Sequence, residues 1–140
     1  MVLDRKDSLI VSQLKKNARL PIRDIAKHTN LRPSTVHKRI QDLVKNSVIE
    51  KFTVKLDNKA VGENFVVFMQ VKVKEDIPNA FFNNEHVKEV FGITGDYDLM
   101  LKLKFEDIEE FNDFVIKFRK QQSVDTTQTM VVTAQIKEEI

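Results

Sequence analysis

The chain has no cysteine and no tryptophan, only three glycines and three prolines, and a single tyrosine among its 140 residues. Without cysteine there is no disulfide framework, no thiolate-held zinc or iron–sulfur cluster and no thiol nucleophile, which is compatible with a reducing cytoplasm. No run approaches the roughly 18 consecutive apolar residues of a membrane span. Met1-Val2-Leu3 passes straight into the charged Asp4-Arg5-Lys6-Asp7, unlike a secretory leader. Enzyme signatures are also scarce. His28, His37 and His86 are scattered, and the chain lacks a His-x-x-x-His pair, a Gly-x-Gly-x-x-Gly run and a Gly-x-Ser-x-Gly elbow. The expectation is a folded cytoplasmic protein that is not an enzyme and carries no cofactor, metal or membrane segment.

What the chain does have is unevenly placed charge. Residues 1–60 hold 14 Lys and Arg against six Asp and Glu, a net +8, whereas residues 61–140 hold nine against 15, a net −6. The overall +2 conceals a basic half and an acidic half. A basic segment of this size is a candidate electrostatic footprint for double-stranded DNA.

The basic half reads as three helices. Asp4 is a plausible cap for a helix to Asn17 carrying Ile10, Val11 and Leu14; Pro21 suits the first turn of a second helix through Thr29; and Pro33 opens a third to about Asn46. In the third helix Val36, Ile40, Leu43 and Val44 form the inward stripe, leaving Thr35, Lys38, Arg39, Gln41, Asp42 and Lys45 outward with His37 at the edge. From Val48 to Leu56 the period changes to the alternation of one or two short strands, and Asp57–Gly62 reads as a turn. Three helices followed by a small ribbon make a winged helix-turn-helix, expected over 1–56 with a linker at 57–63.

Residues 64–140 alternate strands and helices. Strands are expected at Phe65–Lys74, Val87–Thr94, Leu99–Phe105 and Thr126–Lys137, with helices from Ile77 to about Asn84 and from Asp107 to about Lys120. Gly95-Asp96 suits a tight turn joining the second and third strands. The order β-α-β-β-α-β is ferredoxin-like, so the whole chain is classed as α+β.

Chemistry then attaches to two places. A helix of about a dozen residues fits the major groove, with Ser34, Thr35, His37, Lys38 and Arg39 facing it; Lys38, Arg39 and Lys45 are expected chiefly to meet phosphates, Thr35, His37 and Lys38 to reach bases, and Arg32 and Lys51 to extend the backbone contact. The plainer alternative for this face is a solvated helix surface. In the second half, Gly95-Asp96-Tyr97-Asp98 offers two carboxylates, turn amides and an aromatic wall to an amino acid, with Thr127 and Thr129 as further hydroxyls. Equally, Asp98 can simply cap strand hydrogen bonds, and threonine is ordinary strand composition.

The residues Leu3-Asp4-Arg5, Ala18-Arg19, Ile25-Ala26, Leu31-Arg32-Pro33-Ser34-Thr35-Val36, Arg39-Ile40, Leu43 and Val48-Ile49 resemble the DNA-binding domain of the Lrp/AsnC feast/famine regulators. Thr94-Gly95-Asp96-Tyr97-Asp98 and Thr127-Gln128-Thr129-Met130-Val131-Val132 resemble the same family's effector and assembly (RAM-type) domain. The resemblance implies a transcription regulator that dimerises through the second domain, often assembles dimers into octamers, and binds amino acids between dimers. Gly95, Asp96, Tyr97 and Asp98 map to the effector site, with Thr127 and Thr129 as strand contacts. Arg32 stands where the family usually has Ser, and Ser47 where it usually has Gly, so Asn46 is expected to take the left-handed conformation. Two alternatives share the architecture: an enzyme resembling sirohaem decarboxylases, and an architectural DNA-binding protein without effector.

Overall fold

The computed structural model describes all residues, 1–140, and divides into two compact units, Met1–Val54 and Lys55–Ile140. The first contains α1 (Arg5–Lys16), α2 (Ile22–Thr29) and α3 (Pro33–Lys45). Asp4 caps α1 by accepting the Asp7 amide at 2.8 Å, and the Asp7 carboxylate returns the contact to the Asp4 amide, a reciprocal capping box. Ile10, Ile25, Val36 and Leu43 are fully buried where the three helices meet, each contributing about 1.5–3 kcal/mol of apolar burial.

The end of α3 departs from expectation. Asn46 has φ −91°, and the left-handed residue is Ser47, at φ +56°. The Val48 amide reaches the Leu43 carbonyl at 2.9 Å and the Ser47 amide reaches Val44 at 3.0 Å. This is the Schellman pattern, in which the residue after the cap takes positive φ. Residues 50–56 form no strand either, although Phe52 and Val54 alternate as a strand would. A strand needs a ladder partner, and none pairs with them in the single chain; Phe52 and Val54 stay 54% and 65% exposed.

In the second unit, Asp57–Gly62 forms consecutive turns, with Gly62 at φ +71°. β1 (Phe65–Val73), β2 (Val87–Gly92), β3 (Leu99–Phe105) and β4 (Val124–Val131) make one antiparallel sheet in the order β2-β3-β1-β4, with α4 (Ile108–Arg119) before β4. Val67, Met69, Val71, Leu101, Leu103 and Phe105 project from one face onto Phe114, Val115 and Phe118 of α4. Asp107 caps α4 by accepting the Glu110 amide at 2.9 Å, and acidic residues at its start and Lys117 and Arg119 at its end complement the helix dipole.

The expected first helix of this unit is only a 3₁₀ turn, Asn79–Asn83, following Pro78. β4 also ends at Val131 instead of near Lys137. Val67 pairs with Val131 and the Val132 amide still reaches Val66 at 2.9 Å, but β1 begins at Phe65, so later residues have no strand to pair with. The tail is held differently. Glu138 pairs with Lys55 at 3.0 Å, Lys102 at 2.5 Å and Lys104 at 3.1 Å. Its hydrogen bond from Lys102, followed by those from the other two lysines, pulls the Glu138 carboxyl from 4.5 to about 2 against the opposing effect of desolvation.

Candidate functional site

In the first unit, Val36 and Leu43 are buried, which turns Ser34, His37, Lys38, Gln41 and Lys45 to solvent at spacings of three or four residues. That spacing places them on one helical stripe. Thr35 is half-buried beside them, and Arg32 and Lys51 are exposed beyond the two ends of the helix. Arg32, in the cap position, makes no side-chain cap hydrogen bond. Gln41, which was not among the expected site residues, belongs to this stripe; its position in the outward register was the available signal.

The two central basic residues differ. Lys38 is paired with Asp42 at 3.1 Å within its own helix and is 73% exposed, a pairing worth only about 0.3–0.5 kcal/mol that a phosphate can displace. Arg39 was expected to meet phosphate, but its guanidinium lies 2.6 Å from the Asp4 carboxylate and 2.9 Å from that of Asp7. The Asp7 side chain is 5% exposed. Hydrogen bonds from the Asp7 amide and then Arg39 hold the Asp4 carboxyl at about 2, and those with Asp4 and Asp7 raise Arg39 further above its ordinary value. Sequence spacing gave no sign of this pair, because the partners lie 35 and 32 residues away.

In the second unit the β2–β3 connection is wider than a two-residue turn. Gly92 pairs with Leu99, and the Ile93 amide donates to the Asp98 carbonyl at 2.9 Å, leaving Thr94–Tyr97 as the loop. Gly95 sits at φ +104°, a conformation that side-chain-bearing residues rarely adopt. Asp98 closes the loop against β1. Its amide donates to the Val71 carbonyl at 2.9 Å, and one carboxylate oxygen accepts the Val73 amide at 2.8 Å.

Val71 also pairs with Thr127 on the opposite side of β1. Asp98 and Thr127 therefore flank one strand at the same end of the sheet, roughly 9–10 Å apart by strand spacing. Thr127 accepts a hydrogen bond from the Arg119 side chain at 3.3 Å. Thr129, opposite Met69, has a buried hydroxyl oxygen with no hydrogen-bond partner. An open depression of about 610 Å³ in this unit is lined by Lys55–Lys59 and Val132–Gln135, away from these residues.

Residues 66–140 match the model described as the Lrp/AsnC ligand binding domain, and residues 3–50 match a winged helix-turn-helix DNA-binding model. The chain belongs to the Lrp/AsnC family. It is 35% identical to the HTH-type transcriptional regulator FL11 of Pyrococcus furiosus over 135 residues, covering 94% of this chain and 89% of that protein. The FL11 protein of Pyrococcus abyssi is likewise 35% identical, over 97% of this chain and 93% of its own length. Among solved structures, Escherichia coli AsnC superposes with a TM-score of 0.89 at 23% identity, covering 100% of this chain and 98% of that one. A Neisseria meningitidis transcriptional regulator, NMB0573, solved with L-Met, superposes with a TM-score of 0.91 at 23% identity, covering 99% and 94%.

This Lrp/AsnC chain is thus a helix-turn-helix transcription regulator with a ligand-binding domain, of the α+β fold. Its relatives are named as regulators and not as enzymes, which sets aside the sirohaem-decarboxylase alternative. No helix is long and apolar enough to cross a membrane.

Proposed function

We propose that this regulator binds double-stranded DNA in a sequence-specific way through the outer face of α3, and that its assembly and DNA binding respond to an amino acid. The observation that carries the first part is the exposed stripe Ser34-His37-Lys38-Gln41-Lys45 on a helix whose opposite face is buried. Lys38 and Lys45, with Arg32 and Lys51 at the margins, contact phosphates, whereas Ser34, Thr35 and His37 face base edges. Selection of bound fragments from random DNA tests this reading directly. The tightest duplex should lose affinity steeply as salt rises, and a flat dependence on log salt would overturn it.

For the effector, Gly95, Asp96, Tyr97 and Asp98 supply turn amides, carboxylates and an aromatic side, and Thr127 and Thr129 supply hydroxyls from the neighbouring strand. One Asp98 oxygen is committed to Val73, and the other is left to meet an ammonium group. The unpartnered Thr129 hydroxyl supports a polar ligand there. Titration calorimetry with each of the twenty amino acids tests this half. Uniformly null heats would leave an architectural DNA-binding regulator.

A second copy of the chain supplies the missing burial. The sheet face opposite α4 carries Phe68, Met100, Phe91 and Met130, the last two 54% and 39% exposed. An apolar face of this kind suits a homodimer, and the dimers would assemble further to octamers in the cytoplasm. Light scattering with and without the effector measures this assembly.

A further inference from the structure

We infer that Arg39 is a positioning residue that braces the recognition helix against the start of α1, and that it does not hold a DNA phosphate. The inference rests on the DNA-binding reading of α3. A helix turns about 100° per residue, so Arg39 points away from the stripe that presents Lys38 and lies about 200° from His37. Its side chain is 26% exposed against 73% for Lys38.

The brace joins two elements through three charged groups. A single guanidinium nitrogen contacts both carboxylates, and those carboxylates are the capping box of α1. Because Asp7 is nearly fully buried, it needs this cation; an unpaired buried carboxylate is costly. Asp4, Asp7 and Arg39 together carry a net negative charge, which disfavours a phosphate at that position. Such a network fixes the angle at which α3 leaves the helical core. The phosphate-directed charge of the helix then resides on Lys38 and Lys45.

The test compares full-length variants on the duplex recovered by selection, measuring affinity as a function of salt. Lys45→Ala should reduce the slope of log affinity against log salt by about 0.9, the effect of one lost phosphate contact. Arg39→Gln should leave the slope unchanged while weakening the selected duplex by about tenfold, comparable with one lost base contact. Arg39→Lys should weaken it as well, because the ammonium ends one bond short of the two carboxylates, whereas a phosphate contact would tolerate lysine.

Asp7→Asn gives an independent sign. It weakens binding if Arg39 is a brace, and tightens binding if the freed guanidinium turns to phosphate. If Arg39→Gln does not fold, the Arg39→Lys and Asp7→Asn pair decides the matter. A slope reduced by about 0.9 in Arg39→Gln, wild-type affinity in Arg39→Lys, or tighter binding in Asp7→Asn would each overturn the brace while leaving the DNA reading intact. Absence of salt-dependent binding by the unmodified chain would overturn the DNA reading, and the inference with it.

Discussion

The Asp98 carboxylate accepts the Val73 amide at 2.8 Å, completing on β1 a ladder that β3 does not reach. The last β3 residue in register is Leu99, opposite Val71, so Val73 would otherwise present an unpaired amide toward that side. Asp98→Ala should therefore lower stability by about 1–2 kcal/mol, the roughly 1.5–3 kcal/mol of a hydrogen bond to a charged group reduced by solvent exposure. Denaturant midpoints measure it. An unchanged midpoint would mean that water replaces the carboxylate without loss.

Ser47 occupies a left-handed conformation at φ +56° with a β-carbon attached. Ser47→Gly should relieve that cost and raise stability by about 0.5–1 kcal/mol after allowing for the greater unfolded-state freedom of glycine. Ser47→Val should lower it, since a β-branched side chain tolerates this region least. Thermal unfolding of the pair measures both signs.

Much of the architecture was legible because its determinants are local. Asp4 caps α1, Pro33 opens α3 and the Val71/Val73 alternation marks β1, each through residues within a few positions of the element they define. What was not legible depends on distant partners. Phe52 and Val54 have strand composition without a strand to pair with, and β1 begins at Phe65, so in the β1–β4 register residues 134–137 have no strand to face. Arg39 looked like any outward arginine until Asp4 and Asp7 were placed beside it. The Thr94–Tyr97 loop was legible as a glycine turn, but the commitment of Asp98 to β1 needed the sheet order.

Glu138 gives the acidic unit a pH-dependent tie. Its carboxyl lies at about 2 in the folded chain against an ordinary 4.5, so it stabilises the fold fully above pH 4.5, and that contribution fades as pH falls toward 2. On the alkaline side, desolvation of Lys102 is outweighed by the hydrogen bond that its ammonium donates to Glu138 together with the charges of Glu89 and Glu138, which raises Lys102 above 10.5. That contribution is complete below pH 10.5 and lost as pH rises through the raised value. Glu138→Gln should therefore have a lower midpoint than the unmodified chain at pH 7, with the gap closing between pH 4.5 and 2. A gap that stays constant through that range would show that protonation of Glu138 does not control the tie and that its contribution is steric.

Thr129 separates stability from ligand binding. Its hydroxyl oxygen is buried without a partner on the edge strand β4, and Thr129→Val replaces it with a methyl group of nearly the same shape. Removing an unsatisfied buried polar atom should stabilise the ligand-free protein by about 1 kcal/mol. If that hydroxyl meets the effector, the same substitution should weaken effector binding by about tenfold, the loss of one hydrogen bond of roughly 1.4 kcal/mol. Unfolding midpoints read the first effect and calorimetry the second. A stabilised variant with unchanged effector affinity would remove Thr129 from the ligand site and leave its hydroxyl as strand composition alone. A destabilised variant would mean that the hydroxyl is already satisfied in solution.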